Sequence, residues 1–155
     1  MKLSYLILAV PPALLGLGAA YAGETTDEAG ALACFTDKWD ETEPEKGHKL
    51  VDFAGRCVAI PDDPAKPKYT EDCVARYEFM PDESWKGSGT CTYNFKDGDK
   101  IYDTIEEGSH LTAYVYKITG GTGKYAGATG GGTYFYESLT DTLAGGTYKG
   151  TTVLP

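Results

Sequence analysis

The chain has 155 residues, with 23 acidic against 14 basic side chains and a formal net charge of −9. Such a surface repels phosphate backbones, so no nucleic-acid partner is expected. Cys34, Cys57, Cys73 and Cys91 contain no Cys-x-x-Cys pair and have only His48 and His110 to assist them, so neither a metal site nor a cofactor is expected.

The first segment opens with Lys2, continues through the acid-free apolar run Leu6 to Leu17 and ends in Ala20-Tyr21-Ala22. A charged start, a short apolar run and a small-x-small exit predict a signal peptide, residues 1–22, cleaved after Ala22. Pro11-Pro12 interrupts the run, which falls short of the roughly 20 residues of a spanning helix, so no stable membrane anchor is expected. Gly23, not Cys, follows the cut, which argues against a lipid anchor. The predicted location is secreted or periplasmic, and an even cysteine count in such a compartment predicts two disulfides.

Residues 23–47 are acidic and weakly periodic, with Cys34, Phe35 and Trp39 as their core candidates. They read as an N-terminal arm holding a short strand or turn and stapled to the body through Cys34. From residue 48 the pattern becomes short β-branched and aromatic segments separated by Gly, Pro, Asp and Ser, and residues 48–155 read as the β-barrel domain. Strands are expected near Lys49 to Ile60, Glu71 to Met80, Lys86 to Phe95, Lys100 to Glu107, Leu111 to Thr119, Gly131 to Ser138 and Gly146 to Leu154. Their hairpin-sized connections make successive strands antiparallel neighbours. The expected fold is all-β, a small antiparallel meander barrel of seven or eight strands with an acidic N-terminal arm, because closure removes exposed sheet edges.

Alternation predicts which side chains face inward. Cys73, Ala75, Tyr77 and Phe79 share one face of their strand, opposite Arg76 and Glu78. Folding the first hairpin about Ala65 sets Cys57 opposite Cys73, which favours a Cys57–Cys73 bridge and leaves Cys34 to pair with Cys91. For the next hairpin, a two-residue turn at Asp97-Gly98 and a three-residue bulged turn are both open. The bulged turn aligns Cys91, Tyr93 and Phe95 with the more apolar set Ile101, Asp103 and Ile105, which places Asp103 inside a largely aromatic interior. A tight turn at Gly108-Ser109 then aligns Ile101, Asp103 and Ile105 with Tyr116, Tyr114 and Thr112.

The most distinctive stretch runs from Ile118-Thr119-Gly120-Gly121-Thr122-Gly123-Lys124-Tyr125 to Ala126-Gly127-Ala128-Thr129-Gly130. A Walker loop is ruled out because Tyr125 follows Gly123-Lys124, and a dinucleotide fingerprint because no helix pattern follows. The glycines suit a tight loop between strands, with Tyr125 anchoring it on the core. This motif resembles the glycine loop of the allene oxide cyclase and dirigent barrels, over roughly Tyr102 to Tyr136. The resemblance implies an eight-stranded antiparallel barrel whose interior binds a hydrophobic small molecule and steers cyclisation or stereochemical coupling. It assigns no catalytic residue here, since the acids of those families lie largely outside the glycine loop.

Three functions are in view. The first is a secreted barrel binding a small hydrophobic ligand, with Tyr77, Tyr93, Tyr114 and Tyr116 lining the cavity and Asp103 as an oriented polar contact. The second is a cyclase or isomerase in which Asp103 or Glu107 is the acid or base and His110 assists from the rim. The third is a structural or interaction protein of the cell exterior. A void of roughly 300 Å³ or more with converging polar atoms separates the first two from the third.

Overall fold

Along Tyr69–Phe79 and Lys100–Gly108 buried and exposed residues alternate, as required of a sheet with one wet and one dry face. The structure, a computed structural model, describes residues 23–155, so the signal-peptide reading of residues 1–22 lies outside the described residues. Eight strands follow in chain order: β1 (Glu24–Glu45), β2 (His48–Pro61), β3 (Tyr69–Phe79), β4 (Trp85–Asn94), β5 (Lys100–Gly108), β6 (Tyr114–Gly121), β7 (Thr129–Ser138) and β8 (Leu143–Leu154). Each pairs antiparallel with the next, and β8 pairs with β1, so the all-β meander closes into a barrel. Closure leaves no continuous free edge for another chain to extend.

The segment read as an acidic arm is a 22-residue strand of the barrel. Its first half pairs with β8 from Glu24 opposite Leu154 to Phe35 opposite Leu143. An irregularity between Thr36 and Lys38 then bends it, and from Lys38 onward it pairs with β2 alone. The acids Asp37, Asp40, Glu41, Glu43 and Glu45 sit on this exposed outer half. Backbone pairing on two sides holds the inner half, where only Gly30 and Leu32 are buried, and that pairing is invisible to side-chain hydropathy.

The disulfides also differ from the expected pairing. Cys34 bonds Cys57 across β1 and β2, and Cys73 bonds Cys91 across β3 and β4. The β2–β3 hairpin is centred one residue before Ala65, which puts Gly55, not Cys57, opposite Cys73. Cys57 then lies opposite Cys34, and Cys73 opposite Cys91. The seven-residue connection, residues 62–68, left the register free, and cross-strand neighbours took the bonds.

The β4–β5 hairpin follows the bulged alternative, with Cys91 opposite Asp103 and Tyr93 opposite Ile101. The β5–β6 register differs from the tight-turn expectation, for Asp103 faces Ile118 and Ile105 faces Tyr116. The chain does not reverse at Gly108-Ser109, because the Ser109 N–H donates to the Trp85 carbonyl (2.9 Å) and Leu111 N–H to Gly108 (3.1 Å). Moving the partner of Asp103 from Tyr114 to Ile118 is an even shift, so Tyr114 and Tyr116 stay on the inner face.

The two ends of the barrel are unlike. At one end the glycine loop folds over the opening. Tyr125 stacks on Phe95 with ring centroids 4.6 Å apart, and the Lys124 ammonium lies 5.1 Å from the Tyr125 ring while pairing with Asp97. Gly123 takes a φ of +53° in this loop, a conformation that side chains with a Cβ rarely adopt. Ile101, Ile118 and Ala128 are buried beneath it. The other end stays open between the outer half of β1 and the β7–β8 hairpin.

Candidate functional site

The open end leads into a cavity of about 650 Å³ that runs down the barrel axis. Its wall near the mouth is aromatic. Trp39 stacks on Tyr77 at 5.9 Å, Tyr77 and Phe79 reach Trp85 at 6.0 Å, and Trp85 meets Tyr114 at 5.8 Å. Trp39, although it points inward from β1, is 48% exposed, which places it at the entrance. Glycines make room for the rings: a side chain at Gly87 would strike the Tyr77 ring, and one at Gly30 the Tyr148 ring.

Three buried carboxyl groups project into this space, with Asp141 at its mouth. Glu107 of β5 is 2% exposed and accepts hydrogen bonds from the Tyr134 hydroxyl (2.5 Å) and the Tyr136 hydroxyl (2.8 Å). Burial and the Glu107 charge raise the pKa of both tyrosines, so these hydroxyls stay protonated and donate. Asp103, 3% exposed and two turns of the pleat deeper, accepts from the Tyr93 hydroxyl (2.6 Å) and the Cys91 N–H (3.0 Å). Burial pushes its pKa up to about 6, and those two hydrogen bonds restrain the rise.

Glu71, on β3, is the third acid and the one the sequence reading passed over. It is 8% exposed, lines the cavity, and receives no hydrogen bond from any described residue. Burial, with the neighbouring Asp103 adding to it, pushes its carboxyl up to about 8. The signal was available in the alternation itself, since the parity that turns Cys73, Ala75 and Tyr77 inward turns Glu71 inward as well. Tyr69 beside it stacks on Tyr93 at 5.1 Å. The Glu71 carboxylate and the sulfurs of Cys73 and Cys91 lie within 4.8 Å of one another, but both sulfurs are committed to the disulfide and are not thiolate ligands.

The five residues expected to line a cavity, Tyr77, Tyr93, Asp103, Tyr114 and Tyr116, all do so, and Glu107 joins them. His110 does not. It lies exposed in the β5–β6 connection and lines a surface recess outside the cavity, with its ring over Gly108.

A closed eight-stranded meander around an open-ended aromatic cavity is a dirigent-like β-barrel fold. The chain superposes on a solved pterocarpan synthase dirigent protein with a TM-score of 0.55 at 14% identity, covering 97% of this chain and 99% of that one. A second pterocarpan synthase dirigent protein gives 0.53 at 15% identity, over 84% and 96% of the two chains. A protein of unknown function from the DUF3224 family of Shewanella oneidensis MR-1 gives 0.55 at 10% identity, over 85% and 98%. At such identities the likeness defines the fold, and the dirigent side of the glycine-loop resemblance holds at that level. No protein-family model matches the chain, and no curated protein matches it.

Proposed function

We propose that this protein is an exported barrel that binds a small hydrophobic molecule in its interior. The observation that carries this reading is the 650 Å³ cavity, open at one end and walled by aromatic rings with carboxyl groups converging on it. Its size lies within the roughly 300–1,000 Å³ of ligand pockets. A barrel with a purely structural role would gain stability by filling that space, since protein interiors are otherwise close-packed. Two disulfides support an oxidising compartment outside the cytoplasm.

Native mass spectrometry of the protein from its own host tests the reading. The expected result is a non-covalent adduct of small-molecule mass that is lost on denaturation. Titration with the neutral probe N-phenyl-1-naphthylamine should also quench Trp39 and Trp85, both in the cavity wall, with saturation at one probe per chain. No adduct and no saturable quenching would overturn the proposal.

A second reading, a cyclase or isomerase of the allene oxide cyclase-like type, is favoured by one observation. Glu71 and Asp103 face the same cavity with pKa values on either side of neutrality, about 8 and about 6. Such a pair can offer one proton and accept another at pH 7, beside the buried Tyr93 hydroxyl. The two dirigent neighbours are described as pterocarpan synthases, so the fold accommodates synthase chemistry. Turnover that Asp103→Asn or Glu71→Gln abolishes while the bound adduct persists would establish this reading, and turnover unchanged in both variants would remove it.

A further inference from the structure

The cavity is chemically one-sided. Among the described residues, Glu71, Asp103, Glu107 and Asp141 line it, whereas no Lys or His does, and Arg56 is the one basic side chain. Arg56 is already engaged by both oxygens of Asp37, at 2.7 and 2.8 Å. Of the cations at or near the closed end, Lys124 pairs with Asp97, and Lys66 pairs with Glu28 and with the Asp27 carbonyl, both outside the cavity.

The three buried acids also differ in what they lack. Glu107 holds two phenolic donors, and Asp103 holds a phenol and a backbone N–H. Glu71 receives none from the described residues and turns its carboxyl to the cavity, where a ligand's donors would reach it. Around it the cavity presents the faces and edges of aromatic rings, whose π electrons attract positive charge.

We propose that the cavity's ligand is a small apolar organic cation, a protonated amine whose N–H groups are received by Glu71 and whose hydrocarbon body lies against the ring walls. This rests on the reading of the barrel as a binding protein. An ammonium group supplies the donors that Glu71 lacks and offsets the repulsion between Glu71 and Asp103. A carboxylate ligand would place a further anion among three acids. The overall charge of −9 draws cations toward the mouth.

The titratable groups facing Glu71 are Asp103 of β5 and the hydroxyls of Tyr69 on β3, Tyr93 on β4, Tyr116 on β6 and Tyr148 on β8. None of them is a base that would compensate the carboxylate. With Glu71 protonated at neutral pH, entry of an ammonium ion forms the ion pair and sends the Glu71 proton to solvent. Amine affinity therefore rises with pH until Glu71 is already ionised in the free protein, at about 8.

Calorimetry with three isosteric probes, 2-(1-naphthyl)ethylamine, 2-(1-naphthyl)ethanol and 1-naphthylacetate, tests the inference. The amine should bind at least about tenfold more tightly than the alcohol, as expected of a charge-assisted hydrogen bond in a dry site, and the acetate most weakly. Amine binding at pH 7 should release about one proton, read from heats in buffers of different ionisation enthalpy. In Glu71→Gln the amine-to-alcohol ratio should collapse to within about twofold and the proton release should vanish. Circular dichroism of the variant confirms the fold, and Asp103→Asn gives a second, smaller reduction of the ratio. An alcohol that binds as well as the amine, or an unchanged ratio in Glu71→Gln, overturns the cationic ligand while leaving the binding barrel in place. Failure of all three probes overturns both.

Discussion

The two halves of the barrel solve the same closure problem by different means. Strands β1 to β4 carry all four cysteines, and each disulfide joins directly opposed residues of neighbouring strands. Their outer faces bear cross-strand ion pairs, such as Asp52 with Arg76 and Glu78 with Lys86, both at 2.9 Å. Strands β5 to β8 contain no cysteine and instead bring backbones together at glycine. A side chain at Gly150 would strike the Gly131 carbonyl and the Tyr116 hydroxyl.

The acids divide in the same way. Glu107, in the glycine half, is held by two tyrosines of β7, whereas Glu71, in the cysteine half, is held by nothing.

The largest expected effect sharpens this contrast through pH. Glu71 is raised from its usual 4.5 to about 8, and Asp103 from 3.8 to about 6. Below the usual values each acid is neutral in both folded and unfolded chains. Above them the unfolded chain releases protons that the folded chain retains, so stability falls as pH rises, for Glu71 across 4.5 to about 8 and for Asp103 across 3.8 to about 6. The slope reaches roughly 1.4 kcal/mol per pH unit for each group. Glu71→Gln should raise the melting temperature at pH 8 and flatten its dependence between pH 6 and 8. A wild-type melting temperature that climbs over that range would refute the account.

Removing a staple is the next largest effect. Replacing Cys73 and Cys91 together by Ala should cost about 3 kcal/mol in denaturant unfolding, because the closed loop no longer restricts the unfolded chain. Hydrogen exchange should then rise first in β3 and β4, with β6 to β8 affected least. Equal loss of protection in all eight strands would mean that the halves are not separately braced.

The matching change in the other half is smaller. Gly121→Val places a branched side chain against the Lys100 carbonyl (2.5 Å from an added Cβ) and Tyr125. It should lower stability by about 2 kcal/mol by overpacking and loosen the loop over the closed end. An unchanged melting temperature would show that the glycine loop does not brace the barrel.

Much of this architecture was legible in the residues. Alternation turned Cys73, Tyr77 and Asp103 inward, and the preference for an apolar partner set chose the β4–β5 register, because both signals are local to a strand or tight turn. The pairing of Cys57 was not legible, since a connection longer than a tight turn leaves the offset between strands open. The role of β1 was hidden because an acidic strand held by backbone pairing on two sides looks like a polar arm.

From the sequence alone came an all-β meander, a candidate export signal, a glycine loop resembling that of the allene oxide cyclase and dirigent barrels, and the inward tyrosines. The meander and the inward tyrosines follow from period-two patterning and turn chemistry, the export signal from its charged start, apolar run and small-x-small exit, and the glycine loop from its resemblance to a known family; each signal acts over a few residues. Only the tertiary structure decided that β1 closes the barrel on β8, that each disulfide joins adjacent strands, and that Glu71 shares a cavity with Asp103 and Glu107. Each of those depends on the register between strands distant in the chain, and the free energy of closing the whole ring, not any local preference, sets that register.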